Sequence, residues 1–359
     1  MQDTRRRPSS DGIHDVIDSK LNIGVVGLGY WGPNLVRNLY ELPEAEVAYV
    51  CDTRPEAFER VGRRYPTIAQ TTSYDELLED PSLDAVAIAT TVSTHYELAR
   101  RALEAGKHVF VEKPMAGSSA EALALIELAA DRRLVLMPGH TFLYSPPVNR
   151  IRELILSDEL GEIYSISMSR VNLGLHQPDI SVVWDLAPHD FSILRYWLGE
   201  LPVHVSGLSR GCILPGTPDV AFIHLEFPSA TIANVELSWL APSKLRRTTV
   251  IGSRKMVVYD DTSTESVRIF DSGVSLPDPE TFGEYTLTYR TGDIVSPRVD
   301  AAEPLYLELA DFCAAILDGS VPRSSPEVGV DVVRMIEAVD ASLARDGVRI
   351  EIDTGRVAV

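Results

Sequence analysis

The stretch LNIGVVGLGYWG, residues 21–32, decides the fold class of this chain. It begins as an apolar run of strand length and ends with glycines at positions 27, 29 and 32. In a dinucleotide-binding turn, Gly27 would permit the tight turn, Gly29 the approach of a pyrophosphate, and Gly32 close helix–strand packing. Asp52 ends the next apolar run, 20 residues after Gly32, where a carboxylate can bind ribose hydroxyls.

The same alternation of strand and helix continues towards residue 140. Further apolar runs are Val47–Cys51, Ala85–Ala89, His108–Val111 and Leu134–Met137. Between these runs, apolar residues recur three and four apart, as in amphipathic helices. Continuous apolar strands separated by such helices indicate a parallel sheet that is covered on both faces. We therefore predict an α/β dinucleotide-binding Rossmann domain, a doubly wound parallel sheet, over residues 21–142.

After about residue 160 the pattern changes to strands with polar turns between them. The predicted strands are Ile163–Val171, Val203–Leu208, Ala221–Phe227, Thr231–Leu240, Thr248–Ile251, Met256–Tyr259 and Tyr285–Tyr289. Many alternate with the two-residue period of a sheet that has one solvated face. Helices are expected at Phe191–Leu198, Leu305–Leu317 and Val328–Ala344. Residues 143–359 are thus predicted to form an α+β domain, with Pro146-Pro147 at its boundary and a helix that can return to the first domain.

Composition excludes several classes of function. The chain has 359 residues and a formal net charge of −19, which disfavours binding to nucleic acid. No apolar run reaches the ~18 residues of a membrane span, so we expect no membrane partner. Three scattered cysteines fit a reducing, cytoplasmic location. Histidine and cysteine spacings predict no metal site. Residues 1–20 are interpreted as a flexible tail, because no apolar stretch follows their arginines.

Candidate catalytic residues follow one strand and occupy one helical turn. The run His108–Val111 leads into Glu112 and Lys113, at the carboxyl end of a strand, where ligand crevices lie in open α/β sheets. Asp185 and His189 are four residues apart and share a face on a helical turn. Pro188 is compatible with such a turn only where a helix begins. Histidine can move a hydroxyl proton near neutral pH, and a nearby carboxylate can orient it. Taken singly, the three residues fit a surface lysine, a capping aspartate and a partly buried histidine better than they fit a catalytic site.

The nucleotide is expected at the glycine turn and the neighbouring strand ends. Asp52 favours NAD, because a carboxylate repels a 2′-phosphate, whereas Arg54 lies close enough to contact one and keeps NADP possible. These signals predict that Gly27, Gly29, Tyr30, Trp31, Gly32, Asp52, Thr53 and Arg54 bind the cofactor.

Five motifs in this order resemble the Gfo/Idh/MocA family of NAD(P)-dependent sugar and polyol oxidoreductases. They are GLGYWG, Asp52, the segment 89–95, Glu112-Lys113-Pro114 and Asp185 with His189, and the resemblance spans about residues 21–353. It implies that residues 143–359 are a substrate-binding and oligomerisation domain with a large open, mostly antiparallel sheet, whose exposed face forms a homodimer or homotetramer. It also implies that Lys113, Asp185 and His189 surround the reacting sugar carbon, with the histidine as acid–base. The bond before Pro114 is often cis in this family, and residues 90–95 would lie along the cofactor. The resemblance thus adds to the predicted cofactor-binding residues Thr90, Val92, His95, Glu112 and Lys113.

The substrate is less sharply indicated. Thr91 stands where many family members have proline, and residues 172–179 are expected to border the substrate. The predicted substrate-binding residues are His140, Tyr144, Asn172 and Gln177. GYWGPN together with WDLAPHD resembles members that act on nucleotide-linked sugars, and a free sugar or inositol is the alternative. A redox-neutral enzyme that retains NAD and a non-catalytic NAD-responsive regulator stay open. Arg246 is interpreted as part of a solvated strand edge that could meet a diphosphate.

Overall fold

The computed structural model describes residues 20–174, 176, 180–275 and 287–352. Its first sheet has the order β3-β2-β1-β4-β5-β6, and every strand pair in it is parallel. The strands are β1 Leu21–Val26, β2 Ala45–Cys51, β3 Ala69–Thr71, β4 Ala85–Ile88, β5 His108–Glu112 and β6 Leu136–Gly139. This is the doubly wound order of dinucleotide-binding domains, so the predicted Rossmann fold is confirmed. The short edge strand β3 has no apolar run and was not predicted.

Helices cover this sheet. They are α1 Gly32–Glu41, α2 Phe58–Arg64, α3 Tyr74–Glu79, α4 Val92–Glu104 and α5 Ser119–Arg132. Serine side chains cap two of them, since Ser73 accepts the Glu76 N–H and Ser118 accepts the Glu121 N–H. By contrast, no side chain caps α1, which follows the glycine turn. The uncapped end leaves backbone N–H groups for an anion.

The second sheet is mostly antiparallel, as predicted. Its order is β14-β13-β12-β11-β7-β10-β9-β8-β15, and in the described residues only the β7–β10 pair is parallel. The strands are β7 Ile163–Leu173, β8 His204–Arg210, β9 Val220–Glu226, β10 Ile232–Ser238, β11 Leu240–Gly252, β12 Met256–Asp260, β13 Val267–Ser275, β14 Thr288–Val295 and β15 Ile350–Glu351. Strands β13 and β15 were not predicted, and residues 285 and 286 of the predicted strand Tyr285–Tyr289 lie outside the described residues.

Three helices pack on one face of this sheet: α6 Pro146–Leu156, α7 Val182–Leu198 and α9 Pro326–Leu343. Pro146 and Pro147 begin α6, where a missing N–H costs nothing. The predicted start of α7 is wrong, since the helix begins at Val182 and contains Pro188. Burial of Val182, Val183 and Ala187 offsets the backbone hydrogen bond that the proline removes.

The opposite face of the second sheet is open in this single chain. On β9, Phe222 is 50% exposed while its neighbour Ile223 is 1% exposed, which is the alternation of a half-solvated sheet. Other large apolar side chains on the exposed surface of this sheet are Tyr164, Leu208, Ile232 and Ile251.

Helix α8, Pro304–Asp318, returns to the first sheet. Leu309 and Phe312 join the apolar cluster that contains Leu39 and Phe110, and the rings of Phe110 and Phe312 lie 5.8 Å apart. Cys51, Cys212 and Cys313 are free thiols. In the part of the chain that the structure describes, no helix has the length and hydropathy needed to cross a bilayer.

Candidate active site

The glycine turn between β1 and α1 has an open surface. Gly27 has a φ of +90°, and a Cβ on it would lie 2.7 Å from the Ala89 carbonyl oxygen. A Cβ on Gly32 would lie 1.9 Å from the Gly27 carbonyl oxygen, whereas nothing lies within 4 Å of the corresponding position at Gly29. A side chain at Gly27 or Gly32 would therefore clash with the protein's own backbone. Gly29 instead leaves room for a ligand to approach the backbone. The residues of this turn fit a dinucleotide.

These two kinds of glycine predict two different mutational effects. Gly32→Ala should lower the free energy of unfolding of the empty protein by about 1–3 kcal/mol, because the backbone must move to admit the methyl group. Gly29→Ala should change it by less than about 0.5 kcal/mol, yet weaken NADH binding about tenfold or more. Urea unfolding and NADH fluorescence titration measure the two quantities. Wild-type NADH affinity in Gly29→Ala would contradict the placement of the pyrophosphate.

Asp52 is buried at the end of β2 and faces the glycine turn. Its carboxylate accepts the Leu28 N–H at 2.8 Å and the Arg54 N–H at 2.9 Å. Burial opposes its ionisation, but hydrogen bonds from Arg54 and Leu28 outweigh burial and lower the carboxyl pKa. The guanidinium of Arg54 also pairs with Asp52 at 3.1 Å. A single ionised carboxylate thus lies beside the turn, and the nearby cation is already paired with it.

A cavity of about 320 Å³ extends from the glycine turn to the second sheet. That volume is at the lower end of the ~300–1,000 Å³ typical of small-molecule sites. The turn and α1 contribute three residues to it, β5 contributes Glu112, and the second domain contributes His189 and Arg246. The lining residues are Trp31, Asn34, Arg37, Glu112, Thr141, Phe142, His189, Arg246, Glu303, Pro304 and Leu305.

Lys113 and Asp185 meet beside this cavity. The Lys113 ammonium donates to the Asp185 carbonyl oxygen at 2.8 Å and to Asp185 Oδ1 at 3.2 Å. The indole N–H of Trp239 donates to Asp185 Oδ2 at 3.1 Å. No hydrogen bond joins Asp185 to His189 among the described residues, so the expectation that this carboxylate orients the imidazole is wrong. The peptide bond between Lys113 and Pro114 is cis, as the resemblance implied.

His189 is partly buried and lines the cavity. Its ring packs edge-on against Phe142, with the ring centroids 5.0 Å apart. Its Nδ1 atom is buried without a hydrogen-bond partner. Burial lowers the pKa of His189 well below its ordinary value, and the positive charges of Lys113, Arg170 and Arg246 lower it further. The imidazole is therefore neutral around pH 7 and able to accept a proton.

Buried ionisable groups lie at the carboxyl ends of β5 and β6. Burial raises the pKa of Glu112 to about 7, although Lys113 opposes this shift, and Glu112 Oε1 has no hydrogen-bond partner. His140 is 1% exposed, and burial together with Lys113 lowers its pKa to about 3. Neither of its ring nitrogens has a partner. His140 thus lies close behind the site but does not line the cavity, unlike a residue in direct contact with a substrate.

Two predicted site residues form hydrogen bonds to other groups of the protein. His95 lies inside α4, 1% exposed, with Nδ1 2.8 Å from the Pro114 carbonyl oxygen and Nε2 3.2 Å from that of Thr90. It supports the turn after β5, so the structure does not favour a contact between its ring and a cofactor. Tyr144 donates to Asp311 at 2.6 Å and is 2% exposed. The predicted contact between Tyr144 and a substrate is wrong, because its hydroxyl is buried against α8.

The other predicted residues are placed as follows. Tyr30 is 77% exposed and stacks edge-on against Trp31. Thr53 is exposed between Asp52 and Arg54, and Thr90 and Val92 precede and begin α4. Asn172 is partly buried on β7 and does not line the cavity, while Gln177 lies outside the described residues. No group of three or more His, Cys, Asp or Glu residues is arranged to hold a metal ion in the described ranges.

Sequence reasoning missed several residues behind His189. Arg170 is 4% exposed and forms a bidentate pair with Asp190, at 2.9 and 2.8 Å. Its guanidinium lies 4.5 Å from the ring centre of Phe142, and that of Arg246 lies at 5.6 Å. The interpretation of Arg246 as a solvated edge is wrong, since it forms part of the cavity wall. Single charged residues on a strand carry no spacing signal that could have revealed these contacts.

The glycine turn of the parallel sheet opens onto a cavity that contains a neutral histidine and has a lysine nearby. This arrangement is typical of nicotinamide-dependent oxidoreductases. Residues 21–140 match the model described as "Oxidoreductase family, NAD-binding Rossmann fold". Residues 148–258 match the GFO/IDH/MocA C-terminal domain. Because the two matches cover more than half of the chain, it belongs to the GFO/IDH/MocA family. It is an NAD(P)-dependent oxidoreductase.

Relatives and a solved structure extend the similarity over most of the chain. D-xylose 1-dehydrogenase (NADP(+)) 2 of Haloferax volcanii is 30% identical over 78% of this chain and 84% of that protein. UDP-N-acetylglucosamine 3-dehydrogenase of Acidithiobacillus ferrooxidans is 29% identical over 63% of this chain and 70% of that protein. The structure of GenD2 from gentamicin A biosynthesis in complex with NAD has a TM-score of 0.80, at 25% identity, and covers 93% of this chain and 97% of GenD2.

Proposed function

We propose that this protein transfers a hydride between nicotinamide C4 and a secondary alcohol or ketone carbon of a nucleotide-linked sugar. The observation that carries this proposal is that one continuous cavity reaches from Trp31 of the glycine turn to His189. Gly27, Gly29, Gly32 and Asp52 would hold NAD, which when bound supplies the hydride acceptor.

The residues of the site divide the remaining work. Neutral His189 accepts the proton of the substrate hydroxyl during oxidation and returns it during reduction. The Lys113 ammonium stabilises the negative charge that develops on the substrate oxygen, an effect worth several kcal/mol in a site closed to water. Asp185 holds Lys113 through two hydrogen bonds. The catalytic residues are therefore His189 and Lys113, with Asp185 as the group that orients the lysine.

Arg246 supports an anionic, nucleotide-linked substrate. It lines the cavity, and among the described residues its one ion pair is with Asp261, which leaves guanidinium N–H groups without a partner. A guanidinium recognises phosphate oxygens well. A relative named UDP-N-acetylglucosamine 3-dehydrogenase is in line with this choice. The relative named D-xylose 1-dehydrogenase keeps a free sugar as the second candidate.

The proposed assembly and location rest on other features. Exposed apolar residues on the open face of the second sheet, including Leu208 and Phe222, support a homodimer or homotetramer through that face. Multi-angle light scattering of the wild type and of Phe222→Glu would test this association.

Free thiols support a reducing compartment such as the cytoplasm. The division near residue 142 is likewise proposed, with residues 21–142 for the cofactor and 143–359 for the substrate.

A substrate screen tests the reaction directly. UDP-N-acetylglucosamine, free hexoses and inositols would be incubated with NAD and with NADP, and absorbance followed at 340 nm. Turnover of the nucleotide sugar at least about tenfold above that of the free sugar supports the proposal. Turnover of free sugars alone would favour the second candidate. Cofactor that survives gel filtration, with product formed and no net change at 340 nm, would indicate redox-neutral chemistry.

Asp52 should determine which nucleotide is used. Asp52→Ser removes the carboxylate that repels a 2′-phosphate and releases the Arg54 guanidinium from its ion pair. We expect the ratio of kcat/KM for NADP to that for NAD to rise about tenfold or more. Arg54→Gln is the matched control and should not raise this ratio. An unchanged ratio in Asp52→Ser would contradict the placement of the adenosine ribose.

A further inference from the structure

Trp239 contacts Asp185 of the proposed catalytic centre but does not line the cavity. It lies between β10 and β11 with its side chain fully buried. Its indole N–H donates to Asp185 Oδ2 at 3.1 Å, while Lys113 donates to Asp185 Oδ1 at 3.2 Å. A buried indole N–H needs an acceptor, and this carboxylate supplies it. Each carboxylate oxygen of Asp185 therefore accepts a hydrogen bond from a different side chain.

The indole itself has little freedom to move. The backbone N–H of Trp239 donates to the Asp219 carbonyl oxygen, and the backbone carbonyl oxygen of Trp239 accepts the Gly174 N–H, both at 2.9 Å. A Cβ on Gly174 would lie 2.3 Å from Trp239 Cδ1, so the chain passes directly over the ring. His176 packs edge-on against the same ring, with centroids 5.3 Å apart. The indole is thus a rigid support for Asp185.

We propose that Trp239 is a positioning residue, whose indole N–H orients Asp185 so that this carboxylate keeps the Lys113 ammonium beside His189. The proposal rests on the roles proposed above for Lys113 and His189. Trp239 does not line the cavity, so it acts through Asp185 and not through contact with the substrate. Its loss should therefore lower kcat and leave KM nearly unchanged.

A pH profile distinguishes positioning from support of the fold. The groups facing His189 are Lys113 after β5, His140 after β6, Arg170 on β7 and Arg246 on β11. Among these charges Lys113 does most to lower the pKa of His189. A lysine that leaves its place lets that pKa rise towards the ordinary value. Oxidation requires neutral His189, so the acidic limb of its pH profile should move to higher pH.

The first test compares two tryptophans. Trp197 is also buried, and its N–H donates to the Val148 carbonyl oxygen at 2.9 Å, so Trp197→Phe is a matched control. For Trp239→Phe we expect kcat to fall about tenfold, since the lost hydrogen bond involves a charged group, with KM within about twofold. Its acidic limb should move upwards. The control should show neither change. Equal effects in the two variants, or an unmoved limb in Trp239→Phe, would overturn the proposal.

A double-mutant cycle tests the route through Asp185. In an Asp185→Asn background, Trp239→Phe should cause no further loss of kcat beyond about twofold. Losses that multiply would show that Trp239 acts elsewhere. If Trp239→Phe does not fold, Gly174→Ala displaces the indole while keeping its N–H and should move the same pH limb. An unmoved limb in the folded Gly174→Ala variant would count against the proposal.

A third test needs no substrate. It measures by mass spectrometry how fast acetic anhydride acylates Lys113. Lys113 is 9% exposed in its side chain, and its labelling rate should rise about fivefold in Trp239→Phe and stay unchanged in Trp197→Phe. An unchanged rate in Trp239→Phe would overturn the positioning role while leaving the proposed function standing. A raised rate in a protein that oxidises no sugar would support the tether and reject the proposed function.

Discussion

Replacing His189 with asparagine is expected to lower kcat about 10²–10⁴-fold, the range for loss of a general acid–base. The imidazole lines the cavity and is kept neutral by burial and by neighbouring cations. The affinity for NADH should stay within about twofold, because the glycine turn and Asp52 are not disturbed. Steady-state kinetics on the substrate identified by the screen, with NADH fluorescence titration, measure both quantities.

The pH dependence of the wild type tests the same assignment. Because the pKa of His189 is lowered, the neutral base is present above that pKa and is lost only as the pH falls through it. The acidic limb of sugar oxidation should therefore lie below the ordinary histidine pKa of about 6.5, and it should disappear in His189→Asn. His204→Asn, on the distant strand β8, is the control and should retain both kcat and the limb. Wild-type kcat in His189→Asn would reject the assignment.

The largest effect on stability is expected for Asp190→Ala. Arg170 and Asp190 are almost completely buried and form two parallel hydrogen bonds. Removing the carboxylate leaves a buried guanidinium uncompensated, since Arg170 Nη1 already lacks a partner. We expect the free energy of unfolding to fall by about 3–5 kcal/mol, as measured by urea denaturation.

The double variant Arg170→Met/Asp190→Leu removes both charges and provides the control. Its stability should be close to that of the wild type or higher, because no buried charge is left unpaired. Its kcat should still fall, since Arg170 packs on Phe142, which in turn packs on His189. A loss of less than about 1 kcal/mol in Asp190→Ala would show that water reaches this pair.

The first sheet and the order of its motifs could be predicted from the sequence because both are local signals. The glycine turn, Asp52 and Lys113 follow apolar strands directly, and parallel strand ends meet at one edge. The partner of Asp185 could not be predicted, because Trp239 is distant in sequence and reaches the site only through the pairing of β7 with β10 and β11. Helical spacing placed Asp185 and His189 on one face but could not show that the Asp185 carboxylate binds Lys113 and Trp239 instead of the imidazole.

Other differences have equally specific causes. Pro188 was expected at the start of a helix, but packing of α7 on the second sheet overrides this local preference. The resemblance placed His95 along the cofactor, and Tyr144 was expected to bind the substrate. The fold uses their polar atoms to satisfy buried groups instead, namely the Pro114 carbonyl oxygen and the Asp311 carboxylate. Residue type and position do not reveal whether a polar side chain faces a cavity or the protein.

The return of α8 has a consequence for protein engineering. Leu309 and Phe312 cover apolar surface of the first sheet, and Glu303 just before the helix binds Arg37 of α1. A fragment that ends at residue 142 would expose this surface and should aggregate. The unit that can be exchanged between relatives is therefore discontinuous in sequence, and a chimera that receives a new substrate sheet must keep residues 303–318 together with its own nucleotide half.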